Sequence, residues 1–278
     1  MATKKYICKV CGYTHEGSEA PSVCPLCKAG ASEFEAVNEK KKGIDTNSDI
    51  YAIIYSAVVV VIVAFLLAGV SSALKEDQDA NVKLDKKKQI LASLNIKNDA
   101  NPAERYDNTI VSELVVNAAG EEVKKEGGFD VENDEINDNN LPLYVANVNG
   151  ETKYVIPMTG NGLWGGIWGY LALNDDCNTI YGVYFSHASE TPGLGAEIAG
   201  DKFQSRFPGK KVYNAGGTVA LSVEKKSTDA EYHVDGVSGA TITCGGVNDM
   251  LKQKLAPYYA FLNKSAGSAV TVPNVVQQ

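Results

Sequence analysis

The sequence predicts a multi-domain protein: a small four-cysteine knuckle, one transmembrane α-helix and a larger α+β domain. Three observations lead there. Two CxxC pairs lie at the N-terminal end, an apolar run without a charge covers 50–74, and short β-like runs separated by glycine turns fill most of the remainder. The 278 residues leave room for one good-sized domain plus a small module, and 44% hydrophobic with 22% charged residues is the composition of a folded chain. A net charge of −8 without a basic stripe argues against nucleic acid, whose phosphates select basic surfaces.

The first element, 1–37, is a metal module. Cys8-Lys9-Val10-Cys11 and Cys24-Pro25-Leu26-Cys27 each set two sulfurs on a short turn, and Gly12 permits a backbone conformation that a β-carbon would crowd. Two such turns face to face form a tetrahedral all-thiolate cage that suits zinc or iron, whereas a disulfide framework would spread its cysteines along the chain. No basic, apolar and small-residue series precedes the cysteines as an export signal would. The knuckle is therefore expected on the cytoplasmic side, where thiols stay reduced.

A charged linker follows at 38–49, and then the run 50–74. At about 1.5 Å per residue a helix over this run outreaches the roughly 30 Å hydrocarbon core, longer than a buried core helix needs. Lysines flank both sides (Lys40, Lys41 and Lys42 before, Lys75, Lys83, Lys86, Lys87 and Lys88 after), so charge asymmetry does not orient the span. Leu84, Ile90, Leu91 and Leu94 recur at helical spacing, which extends the helix as a stalk over 75–98 until Asn98–Pro102 breaks it.

The α+β domain is placed at 99–264, with a flexible tail at 265–278. Its strands are read from LPLYVANV, TKYVIPM, GGIWGYLAL, TIYGVYFS and TVALSVEK, with hairpin-like separations rather than βαβ repeats. Near its end, Asp235-Gly-Val-Ser-Gly-Ala-Thr241 opens a helix marked by Val247, Met250, Leu251 and Leu255. Glycines there let a ligand approach the backbone. Amides at a helix start favour an anion, with the Ser238, Thr241 and Thr243 hydroxyls in support. Helix capping by Ser238 or Thr243 explains the same residues. Cys177 and Cys244 read as buried small hydrophobes, Trp168 as core, and the acidic 130–140 segment as a solvated loop without the spacing of a calcium site.

Two resemblances sharpen this reading. Tyr6-Ile-Cys8-x-x-Cys11-Gly12-Tyr13, His15-Glu16-Gly17, Ala20-Pro21, Cys24-Pro25-x-Cys27 and Phe34 resemble the rubredoxin-like module of rubrerythrins. That likeness implies one mononuclear iron held by Cys8, Cys11, Cys24 and Cys27 and walled by Tyr6, Tyr13 and Phe34. A structural zinc ribbon remains the alternative, since the cage admits either metal.

Asp235-Gly-Val-Ser238-Gly239-Ala240-Thr241 resembles the flavinylation motif of the FMN-binding domain family, which the C-type component of the Na+-translocating NADH:quinone reductase shares with the G-type component of the Rnf complex. Glu190-Thr191-Pro192-Gly193-Leu194-Gly195 and Leu163-Trp164 match two further family loops. The resemblance implies FMN joined to Thr241 by a phosphodiester that a flavin transferase makes. It also implies that Ser238, Gly239, Ala240, Glu190, Thr191, Gly193, Leu194, Leu163 and Trp164 surround the cofactor.

The single anchor, the stalk and the long interval from Thr191 to Thr241 look more like the C-type component of the sodium pump, although the fused knuckle departs from its usual pattern. The expected function is electron transfer within a Na+-pumping NADH:quinone oxidoreductase of the bacterial inner membrane. The other subunits of that redox complex are its partners, with the knuckle cytoplasmic and the FMN domain outside. An Rnf-type component, or a non-catalytic assembly subunit with a zinc knuckle, are the alternatives.

Overall fold

The computed structural model describes residues 4–37, 46, 48–133 and 135–266, and the expected linker and tail lie almost entirely outside them. The chain divides into two compact units, Met1–Lys75 and Glu76–Gln278. In the first, β1 (Lys4–Cys8), β2 (Thr14–Gly17) and β3 (Phe34–Val37) form an antiparallel sheet in the order β2-β1-β3. Of its described residues 4–37, only Cys8 and Cys24 are buried. Those residues therefore have no apolar core apart from the cysteines.

Helix α1 (Asp49–Ser93) is continuous, and its most apolar window is long enough to cross a membrane with none of its side chains buried. It ends at Ser93, earlier than the Asn98–Pro102 break the sequence suggested. The stop is a Schellman motif. Asn95 takes φ 60° just past the helix, the Ile96 amide donates to Leu91 O, and the Asn95 amide donates to Ala92 O, each at 3.0 Å. Pro102 instead begins α2 (Pro102–Thr109), at the first helical position where its missing N–H is harmless.

The second unit continues with β4 (Ile110–Val116), β5 (Glu122–Lys124), β6 (Leu141–Val148), β7 (Glu151–Asn161), β8 (Gly166–Leu173) and β9 (Ile180–His187). They make one six-stranded antiparallel sheet in the order β5-β4-β6-β7-β8-β9. A one-turn helix α3 (Asp201–Gln204), the parallel pair β10 (Ser222–Glu224) and β11 (His233–Asp235), then α4 (Thr241–Leu255) and α5 (Tyr259–Ser265) complete it.

Alternation along the strands splits the core between the two faces of the sheet. Leu143, Val145, Ile156, Met158 and Leu171 pack with Val247, Met250 and Leu251 of α4. Tyr144, Ala146, Val155, Tyr170 and Ala172 pack with Ile90, Leu91 and Leu94 at the end of α1. Because both faces are covered, β6 reads as an almost unbroken apolar run.

Three expectations change. The TVALSVEK segment is not one strand: Val219 makes an isolated bridge to Tyr213 and only Ser222–Glu224 is extended in a sheet. The sheet also holds β4, a strand outside the five expected, which lies one in from the edge between β5 and β6. Trp168 is half-buried rather than core, and its Nε1–H donates to Gln89 Oε1 at 3.0 Å. Cys177 and Cys244 are free and buried, as expected.

Candidate functional site

The CxxC turns repeat one geometry. The Gly12 amide donates to Cys8 O and the Lys28 amide to Cys24 O, both at 2.9 Å, with φ of 77° and 61° at the two donors. The turns bring four sulfurs within 4.8 Å of one another, Cys8 to Cys27 at 3.6 Å and Cys11 to Cys24 at 3.5 Å. A tetrahedron with metal–sulfur bonds of about 2.3 Å has edges of about 3.8 Å, so the donor set fits one four-coordinate ion. Amides of Tyr13, Leu26, Cys27 and Ala29 donate to the sulfurs; those of Cys27 and Leu26 hold the Cys24 thiol below its ordinary range, whereas burial and the neighbouring sulfurs outweigh the Tyr13 and Ala29 amides and push Cys11 and Cys27 up. Among the described residues this is the only cluster of at least three His, Cys, Asp or Glu side chains able to hold a metal, and the acidic loop supplies none.

In the second unit, three segments distant in sequence converge. The Leu163–Trp164 turn, closed by the Gly162 amide on Gly165 O at 2.8 Å, joins β7 to β8. The Thr191–Ala196 turn follows β9, with the Leu194 and Ala196 amides both donating to Thr191 O at 3.1 Å and Gly193 at φ 75°. Helix α4 begins at Thr241.

Glu190 joins them. It is 4% exposed; its Oε1 accepts the Trp164 amide at 2.8 Å and its Oε2 the Thr243 hydroxyl at 2.7 Å. A β-carbon on Gly162 or Gly195 would collide with this carboxylate, so both positions need glycine for space. A β-carbon on Gly239 would lie 2.8 Å from Leu194 Cδ2, which sets the tip of the Thr191 turn against the Ser238–Thr241 turn.

Thr243 is thus neither a cap nor an anion ligand, as the sequence reading allowed: its side chain is buried and bonded to Glu190. Nor does Ser238 cap the helix. The N-cap of α4 is Ala240, with no side-chain hydrogen bond, so α4 starts with amides that no side chain caps. Thr241 is exposed as the first helical residue, as is Ile242 beside it. Leu163, Trp164 and Leu194 are exposed too, Trp164 at 66%. A pole that favours an anion, together with exposed apolar side chains on linked loops, fits a nucleotide that carries a flat aromatic ring system.

Three supporting residues escaped the sequence reading. Arg206 Nη1 donates to Asp235 O at 2.6 Å and Gly236 O at 3.0 Å, holding the start of the turn. Ser189 Oγ donates to Trp164 O at 2.9 Å, and His187 Nδ1 accepts the Glu190 amide at 3.2 Å. The Arg206 contacts span about thirty residues, and no local pattern announces them.

Comparison with known proteins agrees with both halves. A family model described as the FMN-binding domain matches residues 162–256, and one described as the rubrerythrin rubredoxin-like domain matches 6–35. The chain is 34% identical over 235 residues to the C subunit of the Na(+)-translocating NADH-quinone reductase of Haemophilus ducreyi, covering 74% of this chain and 91% of that protein. The crystal structure of the corresponding C subunit from Parabacteroides distasonis is similar with a TM-score of 0.65 at 40% identity, over 68% of this chain and 96% of that one. NqrC of Shewanella oneidensis, at 23% identity and a TM-score of 0.59 over 68% of this chain and all of that one, shares the fold.

Proposed function

Because the chain belongs to the family of C subunits of the Na+-translocating NADH-quinone reductases, we propose that it carries FMN as a phosphodiester on Thr241 and one iron on Cys8, Cys11, Cys24 and Cys27. Electron transfer is the role common to this family and to its FMN-binding domain. The observation that carries the flavin assignment is the exposed Thr241 at the uncapped start of α4, with the two other family loops gathered beside it. Ser238, Gly239 and Ala240 shape the turn; Leu163, Trp164, Thr191, Gly193 and Leu194 line the ring. The phosphodiester keeps one negative charge, which the first amides of α4 stabilise. Bound FMN supplies the redox chemistry, and the protein positions it and excludes competing reactions.

In this reading 50–74 spans the bacterial inner membrane once, with 1–37 cytoplasmic and 99–264 on the outer side. A flavin transferase makes the attachment, and other subunits of the sodium pump exchange electrons with it. A knuckle on the opposite side of the membrane serves a different redox partner. Peptide mapping of the protein co-expressed with its flavin-attaching enzyme tests the central point. The mass of the peptide containing Thr241 rises by that of FMN less water, and Thr241→Ala abolishes the gain. An unmodified peptide in the parent overturns the assignment. Ferric iron on four thiolates gives a red protein with visible charge-transfer bands; a colourless one holding zinc removes the redox role of the knuckle.

A further inference from the structure

Glu190 touches all three segments of the flavin site. Its two oxygens are taken by an amide of the Leu163–Trp164 turn and a hydroxyl of α4, while Gly195 of its own turn lies against it. These partners are 26 and 53 residues away in sequence. A buried carboxylate with charge-assisted bonds to separate segments is costly to leave unpaired, so the segments hold their spacing as long as it stays in place. Thr243 sits two residues beyond Thr241, within the same first turn of α4. The contact that fixes Thr243 therefore also fixes the direction in which the start of the helix presents Thr241.

We propose that Glu190 is the positioning residue of the flavin site, locking the Leu163–Trp164 turn and the Thr191–Ala196 turn to the first turn of α4 before any flavin arrives. This rests on the flavin assignment above, but the lock itself belongs to the flavin-free protein. Glu190→Gln retains a carbonyl acceptor for the Trp164 amide and an amide that can donate to Thr243 Oγ1. Glu190→Ala retains neither.

The test uses full-length chain in detergent, made without the flavin-attaching enzyme, and follows amide hydrogen exchange. In Glu190→Ala, exchange over 161–166 and 241–246 accelerates together by about tenfold or more, the effect of losing hydrogen bonds to a charged group. Over β6 it stays as in the parent, and Glu190→Gln restores most of the protection in both segments. Should Glu190→Ala fail to fold, Thr243→Val breaks one of the two bonds and is read over the same segments.

A second set, co-expressed with the attaching enzyme, is read by flavin fluorescence on a denaturing gel. The labelled fraction falls in Glu190→Ala and recovers in Glu190→Gln. Parent-like exchange in both segments, or full labelling of Glu190→Ala, overturns the proposal. An unlabelled parent overturns the flavin assignment instead and leaves the exchange result to decide the lock.

Discussion

Burial alone would push the Glu190 carboxyl up. The Trp164 amide, the Thr243 hydroxyl and the Leu163 amide, with His187 nearby, outweigh it and hold the group below the ordinary glutamate range. A carboxyl depressed in the folded state stabilises fully above its unfolded value, and that contribution disappears as pH falls through the lower folded value. The flavin-domain melting temperature should therefore drop on acidification below about pH 4.3, and drop less steeply in Glu190→Gln. Circular dichroism melts between neutral and strongly acid pH check this; parallel curves for parent and variant would show that the charge is immaterial. At this scale the sequence was legible only in part. Glu190 stands in a motif, but that its carboxylate binds the threonine two residues after Thr241 depends on a contact across 53 residues. The Ser238 and Thr243 hydroxyls were open to a capping role because capping is a local pattern; burial, which is not local, decided Thr243.

Elements fall into those whose cause is local and those whose cause is not. Strands β6 to β9 were legible because an apolar run between glycine or asparagine turns suffices to specify an antiparallel meander. Strand β10 was not. Its Val223 backbone is satisfied by the Asn248 side chain from α4, which accepts the Val223 amide and donates to Val223 O. It also pairs in parallel with β11, from which an irregular segment separates it. The end of α1 falls before the Asn98–Pro102 break that the pattern predicts, although Asn95, a residue that tolerates left-handed backbone, stands at the stop. Its seat is equally specific: Asn95 Nδ2 donates to Tyr181 O at 3.2 Å, and a β-carbon on Gly182 would strike Ser93 O. Gly182→Ala must then lift the helix end from β9, an overpacking cost of about 1–3 kcal/mol. At Gly150, which has φ 86° and open space around it, alanine meets only the conformational penalty, about 1 kcal/mol. Denaturant unfolding of the two variants distinguishes them further if Gly182→Ala also speeds amide exchange over 90–96, which Gly150→Ala leaves unchanged. Equal exchange in both would mean that β9 does not seat the helix by close approach.

The whole molecule joins two units that are held together by different physics. Glu76–Gln278 has a sheet buried on both faces, the ordinary source of stability for a domain of its size. Among the described residues of the knuckle Cys8 and Cys24 are the buried ones, while Tyr6, Tyr13 and Phe34, expected to wall the cage, are only half-buried. A module this small without an apolar core depends on the metal for its fold, because metal–thiolate binding energy becomes folding energy. A strong chelator with a thiol reductant at neutral pH should therefore unfold 4–37 while the flavin domain keeps its melting transition. Calorimetry should resolve two transitions in the metal-loaded chain and one after metal removal, the surviving one unshifted. Replacing Cys8 with serine should reproduce the metal-free trace, since it takes one thiolate from the cage. A knuckle transition that outlasted complete metal removal would mean that the sheet β2-β1-β3 holds by itself, and that the cysteines ride on a fold they do not create.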